Sequence, residues 1–346
     1  MAAGDAVTSR YKTIFITERA LFHQARAIAS APPELDIVML RQPAPEELTP
    51  HYADAVYLIS ERSGAISAEM IRAMPNLKLI LRLGSLTYDI DVEAARTAGV
   101  IVCYQPIVGV IRVAEHAILQ MLALAKNLND AQRIVYEART DWGKSRRTDE
   151  DTFAYNWSSR QGINQLYERT VGLVGFGEIG AEVARRLSGW GCTLLYYKRR
   201  RLPEAVEREL RLSYLQLDEL VASADYLVNL LPYSPETDHA INAQTFASMK
   251  RGAFIVSVGS GSVIDEAALT EAVRSGRLGG AALDTYEYEP IEPHHPLLTL
   301  KDANLILTPH IAAGSYTAAL EDRERREDYT AILCHLRGEP IPNRLA

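Results

Sequence analysis

The stretch Thr170-Val-Gly-Leu-Val-Gly-Phe-Gly-Glu-Ile-Gly180 constrains this chain more than any other. An apolar, strand-like run leads straight into Gly175-x-Gly177-x-x-Gly180 and then into a helical pattern over residues 181–187. In that context the glycines read as a dinucleotide-binding turn. Gly175 permits the tight turn, Gly177 lets the backbone approach a pyrophosphate, and Gly180 lets helix and strand pack closely. The pyrophosphate belongs at the helix N-terminus, where free N–H groups and the dipole favour negative charge, so Phe176, Glu178 and Ile179 join the glycines as predicted contacts. About 20 residues further on, an NAD site normally carries Asp or Glu for the ribose 2′-hydroxyl. Here the run Thr193–Tyr197 ends instead in Lys198-Arg-Arg-Arg201. Four cations suit a 2′-phosphate, with Lys198, Arg199 and Arg200 as contacts, which makes NADP(H) the preferred cofactor and NAD(H) the alternative.

The rest of the composition narrows the field. A chain of 346 residues accommodates two domains with separate cores. With a net charge of −7 and a pI near 5.7 it carries no electrostatic footprint for nucleic acid, and the cofactor explains its one basic cluster. No apolar run approaches the roughly 18 residues of a membrane span, and the N-terminus lacks a signal peptide's basic and apolar regions, which predicts a cytoplasmic protein without a membrane partner. Cys103, Cys192 and Cys334 fit neither a disulfide framework nor a metal site and read as small buried hydrophobes. The histidines show no ligand-like spacing, His294-His295 reads as turn chemistry, and no metal is implied.

Short apolar runs at residues 12–17, 37–40, 55–59, 78–83 and 100–103 alternate with helical patterns such as 65–74 and 91–98. The plan repeats with runs at 170–174, 193–197, 226–230, 253–258, 280–283 and 305–307. Strands alternating with helices predict parallel sheets with right-handed crossovers. The fold class is therefore α/β: two Rossmann-like or flavodoxin-like doubly wound parallel-sheet domains with a ligand cleft between them. Residues 113–125 predict a long apolar helix from the first domain into the second, and residues 316–336 a C-terminal helix returning to the first. The division predicted is a discontinuous substrate domain, residues 1–115 with 318–346, and a cofactor domain, residues 116–317. The polar stretch 143–165, with Arg146, Arg147 and Arg160, is either an arm at a subunit contact or a loop over the cleft.

Further motifs, in this order, resemble the D-isomer-specific 2-hydroxyacid dehydrogenase family over nearly the whole chain. They are Val113-Ala-Glu-His116, Leu231-Pro-Tyr-Ser-Pro-Glu-Thr237, Met249-Lys-Arg-Gly252, Val263-Ile-Asp-Glu266, Ala282-Leu-Asp-Thr-Tyr-Glu-Tyr-Glu-Pro290 and Leu307-Thr-Pro-His-Ile311. The resemblance implies a substrate lobe, a cofactor lobe, a homodimer, and hydride transfer at a C2 carbonyl or carbinol of a small molecule. It implies His310 as the general acid/base, Glu289 as the carboxylate that holds it, and Asp284 as a carboxylate near the nicotinamide amide. Leu231, Pro232, Thr237, Val258, Gly259, His310 and Ala312 fall among the implied cofactor contacts. The chemistry agrees, since an imidazole titrating near neutrality can give a proton to a carbonyl oxygen while a carboxylate fixes its tautomer.

Two elements depart from the pattern. The family's arginine, which grips the substrate carboxylate, falls on Ser260, and serine cannot form the charge-assisted fork. That loss costs about 1.5–3 kcal/mol of substrate or transition-state binding. In Gly84-Ser-Leu-Thr-Tyr88, a loop that would cradle the substrate at Ser85, Leu86 replaces a second glycine and Tyr88 an acid. Arg82, Arg112 or Arg160 could supply the missing cation. The cofactor elements are kept while the substrate elements differ, which predicts an NADP(H)-dependent oxidoreductase with an atypical substrate. The alternative is a catalytically weak NADP(H)-binding sensor or scaffold.

Overall fold

The computed structural model describes residues 10–61, 64–152, 155–314 and 317–346. The chain divides into two compact units, Met1–Ile111 with Ser315–Ala346, and Arg112–Gly314, limits that lie a few residues from those predicted.

In the first unit, β1 (Tyr11–Thr17), β2 (Leu35–Arg41), β3 (Tyr57–Glu61), β4 (Leu79–Leu83) and β5 (Ile101–Gln105) form a parallel sheet in the order β2-β1-β3-β4-β5. Alternate side chains point to opposite faces. Ile14, Leu58, Ile80 and Val102 therefore enter one core, and Phe15, Tyr57, Leu79 and Cys103 the other. Burial on both faces is why these strands read as continuous apolar runs. The outer edge of β5 is covered by the last residues of the chain, with Cys103 bridged antiparallel to Arg344 and Leu345 N–H donating to Val102 O at 2.7 Å.

The helix predicted over residues 316–336 is two helices, Ala318–Glu327 and Thr330–Arg337, and its predicted start at residue 316 lies outside the described residues. The break has a local cause. Tyr329 is fully buried, with backbone φ −97° and ψ 1°, and its hydroxyl donates to Ala27 O at 2.6 Å. Beside it Arg325 lies 2.9 Å from Asp328 and 3.1 Å from Glu61, a buried cluster of opposite charges.

The second unit holds β6 (Thr170–Val174), β7 (Thr193–Tyr197), β8 (Leu212–Tyr214), β9 (Tyr226–Asn229), β10 (Phe254–Ser257), β11 (Gly280–Leu283) and β12 (Leu305–Leu307). The order β12-β11-β10-β9-β6-β7-β8 starts in the middle at β6, runs out to β8, returns to β9 and runs out the other way, the Rossmann plan with one added strand. The three-residue β8 was not predicted, because it is too short and too exposed to make an apolar run. At the switch point the turn after β6 meets the end of β9: a Cβ on Gly175, whose φ is +88°, would sit 2.8 Å from Leu231 N. Ligands of such sheets bind at this crevice.

The helix predicted over residues 113–125 extends over Val108–Lys126. With 19 residues and a mean hydropathy of 1.5 it is long and apolar enough to cross a membrane by length and composition, contrary to the expectation that no run approaches that length. Half of that window is buried within the protein, the fully buried Gln120 lies in it, and both are features of a core helix. Residues 143–165 carry no helix or strand among the described residues, and Arg160 pairs with Asp130 of helix Leu128–Glu137 at 3.1 Å.

Burial pushes the Asp328 carboxyl up to about 6, against the pull of Arg325. Its unfolded value is about 3.9, so the folded state holds the proton more tightly. The stability linked to this group is complete below about pH 4 and is lost as pH rises through about 6. Asp328→Asn, which cannot ionise, will therefore gain stability relative to wild type between about pH 4 and about pH 7 in urea titrations. A difference that stays constant across that range contradicts the assignment.

Candidate active site

All the predicted cofactor contacts lie on connections that leave the carboxyl ends of β6, β7, β9, β10, β11 and β12. These connections abut closely. A Cβ on Gly261 would lie 1.9 Å from Tyr286 O, and Thr285 Oγ1 donates to Gly259 O at 2.7 Å, so the segments after β10 and β11 meet backbone to backbone.

The turn after β6 fits a dinucleotide. Gly177 stands at the N-cap of helix Glu178–Leu187, where a Cβ would meet nothing within 4 Å, leaving the helix N-terminus open to an anion. A Cβ on Gly180 would be 2.8 Å from the ring of Phe176, so this glycine makes room for the turn's own aromatic. After β7, Arg199 and Arg200 are exposed and Lys198 is half-buried. Arg201, counted among the phosphate-facing cations in the sequence, instead forks onto Glu207 with both hydrogen bonds at 2.8 Å. The Glu236 carboxyl is held below its usual range by the Ser234 hydroxyl first, with the charge of Arg199 adding. Thr237 shapes the 231–237 segment, donating to Pro232 O at 2.9 Å and accepting from Ser234 N at 2.7 Å.

His310 and Glu289 come together. His310 Nδ1 lies 2.7 Å from Glu289 Oε2, and Glu289 Oε1 accepts from Tyr286 N at 3.1 Å, so both carboxylate oxygens are engaged. His310 has φ +53°, a left-handed conformation rare outside glycine, and its backbone N–H donates to Asp284 O at 2.8 Å. Asp284 is fully buried and accepts from Thr308 Oγ1 at 2.6 Å, Ile311 N at 2.9 Å and Ala312 N at 2.8 Å. The carboxylate implied beside the nicotinamide is thus the anchor of the segment that carries His310.

Four residues of this network, Thr308, His116, Gln120 and Tyr286, were given no role from the sequence. Thr308 Oγ1 lies 3.1 Å from His116 Nε2 and accepts from Gln120 Nε2 at 3.3 Å. Since its single proton goes to Asp284, His116 must donate, which puts a proton on His116 Nε2. The available signal was the i,i+4 spacing of His116 and Gln120 on one helix face. Tyr286 donates to Thr308 O at 3.1 Å; burial first, then the charge of Asp284, pushes its phenol up to about 12, so it keeps its proton at neutral pH.

The substrate side is only partly assembled by these contacts. Ser260 is half-buried; its N–H donates to Leu231 O at 2.9 Å, and its hydroxyl has no hydrogen-bond partner among the described residues. Arg82 does not serve as a replacement cation, because it is buried and ion-paired with Asp89. Arg160 is spent on Asp130. Arg112 donates to Ala313 O at 3.4 Å, a long hydrogen bond close in sequence to His310. Ser85 is half-buried and Leu86 buried; with Arg82 they belong to the first unit, while Arg112, Ser260 and His310 belong to the second. His295 does cap Leu297 N, but it also lies 2.8 Å from the buried Glu266, whose carboxyl is raised by that burial. Cys103 is buried, whereas Cys192 and Cys334 are only half-buried.

The strand order, the glycine turn and the engaged His–Glu pair define an α/β dehydrogenase that uses a dinucleotide. Known proteins narrow this further. A family model described as D-isomer specific 2-hydroxyacid dehydrogenase, NAD binding domain, matches residues 118–312. The glyoxylate reductase of Korarchaeum cryptofilum is 34% identical over 303 residues, 87% of this chain and 86% of that protein. The D-3-phosphoglycerate dehydrogenase of Archaeoglobus fulgidus is 36% identical over 256 residues, 74% of this chain but 45% of that protein. Among solved structures, a formate dehydrogenase from Granulicella m. is 28% identical with a TM-score of 0.55, covering 89% of this chain and 78% of that one. The chain belongs to the D-isomer-specific 2-hydroxyacid dehydrogenase family, whose members are nicotinamide-dependent oxidoreductases.

Thr308→Val removes the hydroxyl that joins His116, Gln120 and Asp284, leaving Asp284 Oδ1 with Ile311 N as its hydrogen-bond donor. We expect a loss of about 1–3 kcal/mol in urea unfolding, together with a lower kcat and little change in cofactor affinity. A valine variant as stable and as active as wild type contradicts the anchoring role.

Proposed function

We propose that this chain is an NADP(H)-dependent oxidoreductase that interconverts a small carbonyl compound and its hydroxy counterpart, with His310 as acid/base and Glu289 as its orienting partner. The observation that carries this reading is the 2.7 Å contact between His310 Nδ1 and Glu289, on a segment fixed by Asp284. Because Nδ1 is committed to the carboxylate, Nε2 is the atom that gives a proton to the carbonyl oxygen or takes it from the hydroxyl in reverse. When bound, the nicotinamide cofactor supplies or accepts the hydride. Gly175, Phe176, Gly177, Glu178, Ile179 and Gly180 hold the pyrophosphate end. Lys198, Arg199 and Arg200 favour a 2′-phosphate, and Leu231, Pro232, Thr237, Val258, Gly259 and Ala312 flank the remainder. Asp284 serves in this reading by positioning His310.

Relatives named glyoxylate reductase point to small 2-oxo acids as the nearest substrate class. Ser260 departs from it, since no fork is available for an α-carboxylate, and we assign any substrate anion to Arg112 instead. The exposed Val135 of helix Leu128–Glu137 lines one hollow with the exposed Trp157 and Ile163, and to this apolar surface we assign a homodimer contact. The free thiols favour a reducing, cytoplasmic setting.

The test is initial rates with NADPH and NADH against glyoxylate, larger 2-oxo acids and carboxylate-free carbonyl compounds, for wild type and Ser260→Arg. We expect wild type to prefer NADPH and to use glyoxylate poorly. Ser260→Arg should lower KM for glyoxylate by about 10- to 100-fold, the worth of a charged hydrogen-bonded pair. Efficient wild-type glyoxylate reduction with NADH, unchanged by the variant, contradicts the reading. Silence of both proteins, with tight NADPH binding, favours a sensor.

A further inference from the structure

Glu207 sits 7% exposed on helix Glu204–Leu210, behind the basic turn that follows β7. Its Oε1 accepts from Arg201 Nε at 2.8 Å and from the Tyr196 hydroxyl at 2.6 Å, and its Oε2 accepts from Arg201 Nη2 at 2.8 Å. The same Tyr196 oxygen accepts from Leu202 N at 2.9 Å, so the far end of the turn is tied down by both side chain and backbone. The Arg201 guanidinium also lies 5.7 Å from the ring centre of Tyr214. Tyr196 is fully buried and packs on Phe176, with ring centres 5.1 Å apart. Phe176 belongs to the glycine turn, whose Gly175 and Phe176 N–H groups donate to Tyr197 O at 3.2 and 3.3 Å. One continuous support therefore underlies both the pyrophosphate turn and the basic turn.

Charge sharpens the point. Glu207 is not a stand-in for the acid that holds a ribose hydroxyl in an NAD site, because Arg201 and Tyr196 already occupy its oxygens. The Arg201 hydrogen bonds hold its carboxyl below the usual range, so it is ionised at neutral pH and cancels one cation of the run. The exposed Arg199 and Arg200 lie between this anchored end and β7.

We propose that Glu207 is a specificity-determining positioning residue: through Arg201 and Tyr196 it presets the backbone of residues 198–202 so that Arg199 and Arg200 meet a phosphomonoester on the cofactor's adenosine ribose. Arg201 is a clamp and not a phosphate ligand. This rests on the NADP(H) reading above and names what sets it.

The experiment is fluorescence titration of the full chain with NADPH and with NADH, for wild type, Glu207→Gln, Arg201→Ala, the Glu207→Gln/Arg201→Ala double variant, Tyr196→Phe and an Arg199→Ala/Arg200→Ala pair. Unclamping about one residue's worth of backbone order weakens NADPH binding by about tenfold in Glu207→Gln while NADH stays within about twofold. The double variant is no weaker than the single ones, because both break one link. Tyr196→Phe keeps the ring packing and gives a smaller loss of NADPH alone; NADH binding reports the fold in every sample. Tighter or unchanged NADPH binding in Glu207→Gln overturns the proposal, since a directly ligating Arg201 would gain from losing its counter-charge. So does an equal loss of both cofactors, which marks a structural role only. If wild type binds NADH as tightly as NADPH and the Arg199/Arg200 pair changes neither, the NADP(H) reading itself falls and the clamp with it.

Discussion

The buried carboxylate of Asp284 is the constraint on which the reacting end of this protein depends. A carboxylate with no exposure is tolerated only when it is hydrogen-bonded, and its donors here are Thr308, Ile311 and Ala312. Those donors converge only if the chain after β12 takes one particular course. That course forces His310 to φ +53°, a conformation that costs on the order of 1 kcal/mol or more for a residue with a side chain. The hydrogen bonds to Asp284 offset the strain, and the ring is delivered to Glu289 at 2.7 Å. Burial of one charge thus becomes the placement of an acid/base.

A second buried carboxylate plays a comparable part at the other end of the sheet. Glu207 draws Arg201 out of the basic turn and, with Tyr196, links that turn to the glycine turn through Phe176. In both places a negative side chain that touches neither reacting atom nor phosphate orders a segment that does. Both lie on helices or connections at the carboxyl edge of one parallel sheet, which is where the Rossmann order concentrates ligand chemistry.

The legible features were the local ones. The strand runs and the glycine turn are carried by short stretches whose spacing has a direct structural meaning, whereas the Glu289–His310 pair was implied only by the motifs that resemble the family. β8 was missed because three residues including Ser213 make no apolar run, and the cover of β5 by residue 344 because no hydrophobic pattern marks it. The site network was hidden for another reason: His116 and Thr308 are 192 residues apart, and only the fold brings them to 3.1 Å. Arg201 and Arg82 were misjudged at short range. A string of cations shows charge but not direction, and Asp89 and Glu207, seven and six residues away, decide where those guanidinium groups point.

The most direct measurement is kcat with saturating NADPH for wild type, His310→Asn and Glu289→Gln on the best substrate found, with NADPH affinity measured in parallel. An acid/base held by its carboxylate predicts a kcat about 100- to 10,000-fold lower in His310→Asn and a smaller drop in Glu289→Gln, with cofactor affinity within about threefold of wild type. A His310→Asn variant that keeps kcat within about tenfold of wild type, or that loses NADPH binding in the same proportion as turnover, would contradict the assignment of proton transfer to this pair.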